Sequence, residues 1–512
     1  MYLLHHLLGP RPDDAGRTAL VEGERAVTHA ELRPEAHACA ARLRAAGIRR
    51  GDRVAILLPK CIAECAAIFG VSHAGAVFVP VNPLLKPAQV RHILADCGAR
   101  VLITDRAGLS ALGDALDGLH DLATALLVEE AEVGAVEPPA DTALGEDLAA
   151  ILYTSGSTGT PKGVMLSHRN LLAGSRIVAN YLSITGSDRI LSLLPFSFDY
   201  GLNQLLTAVQ ERAVLVLAGF RLGNDIVDLL ARHRITGLAG VPTIWTILAR
   251  ATPRFATTPL PDLRYVTNSG GALPTDIVAR LGRQWPRTDV VLMYGLTEAF
   301  RSTYLPPDEV GRRPGSIGRA IPECEVFAVT PDGRRAAPGE PGILVHRGPT
   351  VSLGYWNRPE ETARVLRPDP LYAPAQGGGL VCYSGDLVVE DEDGYFTFVG
   401  RDDAMIKSAG YRISPSEVEE ALMATKALRQ VAVIGLPDAI LGQRVHAVAV
   451  AGEGALDVPA VLLAAGERLA AYMVPRSLEC VAALPVTPNG KVDYKRLVAE
   501  RNAADRIMDA AA

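Results

Sequence analysis

The stretch ILYTSGSTGTPKGVMLSHRN, Ile151 to Asn170, decides how the rest of the chain is read. Leu148 to Leu152 is a short apolar run with the pattern of a buried strand, and a helical pattern opens at about Asn170. Between them lies Thr154-Ser155-Gly156-Ser157-Thr158-Gly159-Thr160-Pro161-Lys162-Gly163. Its glycines let the backbone approach a ligand closely. Successive N–H groups, with four Ser/Thr hydroxyls between Ser155 and Thr160, make an anion-binding concavity, to which Lys162 adds a mobile positive charge. Such a loop between strand and helix predicts a grip on phosphate. It is not the P-loop G-x-x-x-x-G-K-S/T, because Pro161 precedes Lys162 and Gly163 follows it. A flexible Gly/Ser linker is the competing reading, but linkers rarely join an apolar run to a helix.

At 512 residues the chain exceeds what one hydrophobic core usually supports, which predicts two or more domains. A net charge of −6, from 51 basic and 57 acidic residues, lacks the basic footprint of sequence-independent nucleic-acid binding. The seven cysteines are scattered without a C-x-x-C pair, which argues against a zinc knuckle or a disulfide framework. The opening MYLLHHLLGPRPDD has no basic n-region or long apolar core, and Cys61 to Asn82 is interrupted by Glu64, His73 and Pro80. Neither a signal peptide nor a membrane span is expected, and the expected compartment is the cytoplasm.

Before the loop, helical patterns (Ala30–Ala46, Ile62–Gly75, Ala88–Cys97) alternate with strand patterns (Arg53–Pro59, Ala76–Pro80, Val101–Thr104). After it come strand patterns at Arg189–Leu194 and Ala213–Leu217 and a helix at Ile226–His233. The rhythm predicts an α/β chain with mostly parallel sheets covered by helices. Ligands of such sheets sit beyond the carboxyl ends of strands, where the loop and Pro195–Gly201 both fall. From Ala336 onward the text turns Pro- and Gly-rich with short strands. A smaller unit of helices (Pro415–Met423, Ala460–Leu469) and strands (Val431–Ile434, Val445–Ala451) ends the chain.

Further motifs have chemistry of their own. Met293-Tyr-Gly-Leu-Thr-Glu298 closes a strand-like run: Tyr294 suits purine stacking, Thr297 a phosphate and Glu298 a magnesium ion. In Ser384-Gly385-Asp386, a carboxylate able to accept two hydrogen bonds suits a ribose diol.

Together, YTSGSTGTPKGV, YGLTE and SGD closely resemble the signatures of the AMP-forming adenylating enzymes: acyl-CoA synthetases, luciferases and amino-acid adenylation domains. The matching motifs run in family order from Tyr153 to Lys491. The resemblance implies a large N-terminal domain (1–402) that binds ATP and acid, and a smaller mobile C-terminal α+β domain (403–512). It implies that Thr154, Ser155, Gly156, Ser157, Thr158, Gly159 and Lys162 hold phosphate. Gly270, Gly271, Tyr294, Gly295 and Asp386 would bind adenine and ribose, Arg401 ribose or phosphate, and Thr297 and Glu298 the α-phosphate and Mg²⁺. Asp403 would be the hinge, Gly410 would line the pantetheine tunnel, and Lys491, in PNGK, would meet the carboxylate and α-phosphate oxygens. A carboxylate and a triphosphate repel each other, so catalysis needs positive charge and in-line positioning. A thiol then attacks the acyl-adenylate and displaces AMP.

Phe198-Asp199 resembles the Phe-Asp of amino-acid adenylation domains, whose aspartate pairs with the substrate α-ammonium. Tyr200, Asn203, Ser269 and Met293 are the other expected acid-pocket residues. The competing role for Asp199 is capping of a helix near Tyr200. The chain also resembles exosortase-associated AMP-forming acyl-CoA ligases and free-standing prolyl adenylation enzymes. The leading expectation is therefore activation of an amino acid, proline among them, and its transfer to the phosphopantetheine thiol of a separate carrier protein. The alternative is an acyl- or aryl-CoA synthetase using free CoA, and a third reading is a non-catalytic nucleotide-binding relic.

Overall fold

Strands Thr124–Leu127, Ala99–Thr104, Arg53–Leu57, Val77–Pro80 and Leu148–Thr154 lie side by side and parallel, in that order. Apart from the half-buried edge strand Thr124–Leu127, their β-branched and Leu-rich runs are largely buried on both faces, as a helix-covered parallel sheet requires. The structure is a computed structural model describing residues 1–130, 140–141, 143–154, 161–401, 405–452, 456–485, 492–494 and 496–502, with 401 and 416 described through their backbone alone.

One expectation fails at the edge of this sheet. Lys162–Ser167 is not the approach to a helix but a strand, antiparallel to Leu148–Thr154, with Thr154 opposite Lys162. Its buried Val164 and Leu166 complete the sheet's apolar face. The helix His168–Tyr181 begins only afterwards, its first turn capped by the Ser167 hydroxyl, which accepts from Asn170 N at 3.1 Å. Thr154 and Lys162 therefore stand opposite each other on paired antiparallel strands, and Ser155–Thr160 lies outside the described residues.

Among the described residues the second sheet has 14 strands. Its first part is mostly parallel and includes Val214–Leu217, Arg189–Ser192, Gly237–Gly240, Tyr265–Asn268 and Asp289–Tyr294. From Thr303–Leu305 onward it becomes antiparallel and includes Leu380–Glu390 and Phe396–Arg401. Helix Asp199–Glu211 packs here with almost every side chain buried. All seven cysteines are free.

Among the described residues the C-terminal unit has a five-stranded sheet of its own. Helices Pro415–Met423 and Val458–Gly466 supply a separate core with Ile406, Val433, Val445 and Leu469. The fold is thus the expected α/β arrangement of a large N-terminal and a smaller C-terminal domain, while the expected boundary at 402/403 lies outside the described residues. Among the described residues no helix is long and apolar enough to cross a membrane.

The two domains meet at Gln89, whose Nε2 donates to Glu417 Oε1 at 2.9 Å and lies 3.4 Å from Met473 Sδ. Burial pushes the Glu417 carboxyl up to about 7, against the opposing hydrogen bond from Gln89. A raised carboxyl binds its proton more tightly in the folded state. Its cost is absent in acid, grows as pH rises from the ordinary carboxylate range, and is complete above about 7. Glu417→Gln removes that slope. Urea denaturation at about pH 5 and about pH 8 is expected to show the variant gaining roughly 1–2 kcal/mol relative to wild type at the higher pH.

Candidate active site

A cavity of about 560 Å³ opens beyond the carboxyl ends of Tyr265–Asn268 and Asp289–Tyr294. Parallel strands end here and the segments that follow them diverge, leaving the crevice in which open α/β sheets bind ligands. The segments Asn268–Leu273 and Met293–Thr297 form its floor, and Ser316 and Ile317 a side. Lys407, Gly410 and Arg412 of the C-terminal domain close over it. Gly410 has φ +82°, and a Cβ there would come within 2.7 Å of Val241 Cγ2. Gly270, at φ +81°, faces it: a Cβ on Gly270 would lie 3.7 Å from Phe198 Cζ and 3.8 Å from the Gly410 carbonyl oxygen. Two glycines thus let the domains meet backbone to backbone at the edge of the cleft.

On one side the cavity is built for a polar ligand. Tyr294 Oη donates to the buried carboxylate of Asp386, which holds that acceptor at the cavity wall. Glu298, also buried, accepts from Tyr355 Oη at 2.6 Å through Oε1, while its Oε2 has no hydrogen-bond partner. A buried carboxylate oxygen without a partner, on the residue after the cavity-lining Thr297, fits a hard cation, so Glu298 is the residue that could hold Mg²⁺. Lys162 Nζ lies 5.7 Å above the Tyr355 ring and 3.9 Å from Glu361 Oε1. Lys162 and Glu298 therefore flank the same tyrosine, which ties the hairpin to the cleft.

On the other side Phe198 and Asp199 enter the cavity from the N-terminus of helix Asp199–Glu211. Phe198 is the N-cap and Asp199 opens the first turn, so Asp199 is not the capping residue. Its Oδ2 lies 3.3 Å from Nη1 of Arg301, with the side chains only 5% and 3% exposed. Burial raises the Asp199 pKa, and Arg301 opposes the rise. Arg301 also lies over the Tyr200 ring at 5.0 Å, while its Nε and Nη2 have no partner. The residue before it, Phe300, is fully buried with φ +52° and ψ −44°, a region bulky side chains avoid. Its ring occupies the place a side chain at Gly174 would need, 2.3 Å from an added Cβ. Below the pocket, the buried Lys60 Nζ donates to Ser192 Oγ at 3.0 Å and to the Leu194 carbonyl, pinning the turn that leads to Phe198.

The single cavity gathers Phe198, Asp199, Ser269, Gly270, Gly271, Met293, Tyr294, Gly295, Thr297, Asp386 and Gly410. Tyr200 and Asn203 instead line a smaller chamber of about 20 Å³ that shares Met293 and Arg301 with the main cavity. Glu298 lies just behind the wall, and Thr154 and Lys162 stand on the hairpin. Ser155, Gly156, Ser157, Thr158, Gly159, Asp403 and Lys491 lie outside the described residues, as does the side chain of Arg401. The sequence reading missed Arg301, although an arginine three positions past Glu298, amid Ala299, Phe300 and Ser302, was a signal of a buried charge. It also missed Lys407, Arg412 and Phe398, which line the cavity from the C-terminal side of the chain.

Comparison with known proteins agrees with this geometry. The family model described as AMP-binding enzyme matches residues 12–356, and that of the AMP-binding enzyme C-terminal domain matches residues 417–491. A feruloyl-CoA synthase from an Amycolatopsis species is 37% identical over 93% of this chain and 94% of its own length. A long-chain-fatty-acid–CoA ligase from Bacillus subtilis is 30% identical over 94% of this chain and 92% of its own. The solved structure of an amide bond synthetase from Marinactinospora thermotolerans superposes with a TM-score of 0.86 at 27% identity, covering 98% of this chain and 99% of that one. With cleft and family models in agreement, the chain belongs to the AMP-binding enzyme family and is an ATP-dependent, adenylate-forming ligase.

Proposed function

We propose that this ligase is an acyl-CoA synthetase that activates a carboxylic acid without an α-ammonium group and passes the acyl chain to free coenzyme A. The observation that carries the reading is the Asp199–Arg301 pair. A vacant aspartate would attract a substrate cation, but here the carboxylate already has a counter-ion from its own chain. An ammonium would have to displace a buried guanidinium, leaving one buried charge uncompensated. This reverses the order in which the sequence ranked amino-acid loading of a carrier protein and CoA ligation. The names of the two CoA-ligase relatives weigh the same way.

In this reading adenine lies along Gly270–Gly271 and Tyr294, with the ribose hydroxyls donating to Asp386. Thr297 donates to the α-phosphate, and Lys162 with the hairpin segment holds the phosphates beyond it. Glu298 would hold Mg²⁺, which supplies positive charge against the phosphates when bound. The acid lies along Phe198 with its carboxylate toward the α-phosphate, where Lys491 would offset the negative charge of both. A carboxylate oxygen forms a bond to phosphorus as pyrophosphate leaves. Coenzyme A then approaches past Gly410, where the absent side chain keeps the backbone close to Val241. Its sulfur bonds to the acyl carbon, the thiol proton is released, and AMP departs.

The decisive assay is AMP release with ATP and Mg²⁺, with and without CoA, against separate pools of fatty, aryl and amino acids. CoA-dependent release with uncharged-bodied acids is expected, and the amino-acid pool stays silent. Exchange of pyrophosphate with an amino acid, abolished by Asp199→Ala, would instead restore carrier loading as the function. Gly410→Ala is expected to separate the two half-reactions. Thioester formation falls about tenfold or more, while acid-dependent ATP–pyrophosphate exchange changes less than about threefold.

A further inference from the structure

The acid side of the cleft ends in groups whose hydrogen bonds are unmade. Arg301 Nε and Nη2, Asn203 Nδ2 and Gln204 Oε1 are all buried without a partner. Their residues are 3%, 3% and 8% exposed and line the same chamber of about 20 Å³ behind Met293. The orientation of Gln204 is fixed by its Nε2, which donates to the Leu191 carbonyl at 3.3 Å and so turns Oε1 away from it. Buried polar atoms normally find partners, and leaving four unpaired in one place costs about 1–3 kcal/mol each. The set is donor-rich with one acceptor, and the chamber is about the size of one water molecule.

We propose that Arg301, Asn203 and Gln204 determine specificity by receiving a hydroxyl group carried at the end of the acid remote from its reacting carboxyl. A hydroxyl oxygen accepts from Arg301 or Asn203, and its proton is donated to Gln204 Oε1. A second carboxylate fits worse, since Arg301 is already neutralised by Asp199 and Gln204 Oε1 would face another acceptor. Met293 forms the partition between cavity and chamber. It is unbranched, so a rotamer change that gives up the 2.9 Å hydrogen bond from Tyr181 Oη to its Sδ opens the way without moving the backbone. This inference rests on the acid-ligase reading above but names the substrate's far end rather than the acceptor thiol.

The test uses matched pairs of acids, aryl and alkyl, that differ only by a terminal hydroxyl. Calorimetric titration into the full-length protein with AMP and Mg²⁺ gives the ratio of the two Kd values without turnover. The hydroxyl member is expected to bind about tenfold or more tightly for the pair whose length reaches the chamber. Gln204→Leu and Asn203→Leu should each bring that ratio toward one, whatever they do to the absolute affinity. A ratio near one in the wild type for every pair length would overturn the inference, because the chamber then holds a water and nothing of the substrate. CoA-dependent AMP release with the same acids is read separately. Its absence alongside a retained binding preference would sink the CoA-ligase reading and leave the hydroxyl pocket standing.

Discussion

Burying a guanidinium is the constraint around which the acid side of this enzyme is arranged. A charge removed from water must be paired and hydrogen-bonded, and Arg301 has one partner in Asp199 and the face of Tyr200. Neither lies near it in sequence: they meet only because the Thr297–Ala299 turn ends beside the first turn of helix Asp199–Glu211. Phe300 holds a backbone conformation costing about 1–3 kcal/mol, and its ring fills the space above Gly174 that fixes it there. Packing on one side of the chain thus forces the charge inward on the other. Strain and a buried charge at adjacent residues are what a site shaped for binding, rather than for stability, would contain.

The parallel sheets were legible because their strands are continuous apolar runs separated by helical periodicity, as at Arg53–Leu57, Ile62–His73 and Val77–Pro80. The error at the signature loop has an equally local cause. Lys162-Gly-Val-Met-Leu-Ser167 is short and half apolar, and periodicity alone does not tell such a run from the approach to a helix. What decides it is Leu148–Thr154, whose edge is completed by an antiparallel neighbour. The consequence is positional: Lys162 sits on a strand, and the helix that follows starts only at His168.

Much of the cleft was legible for another reason. Motifs such as Tyr294–Thr297 and Ser269–Gly271 need small or polar residues at fixed spacing after a strand, and that spacing is local. Asp199 marks the limit of local spacing. Its place in the pocket followed from Phe198-Asp199 directly after a strand, but its charge state depends on a residue 102 positions away. No local pattern carries that information, so a neutralised carboxylate was read as a vacant one.

The difference between a vacant and a neutralised carboxylate bears directly on discrimination. A bare aspartate would favour any small ammonium compound, and Coulomb attraction is tolerant of geometry. Once Arg301 cancels that charge, the remaining unpaired donors at Nε and Nη2 act only through directed hydrogen bonds over about 3 Å. A substrate lacking the matching group leaves them unpaired, a penalty that a purely apolar pocket never imposes. The internal ion pair therefore replaces long-range attraction with short-range selectivity. That exchange suits an adenylate-forming ligase, because the choice of acid has to be made before activation.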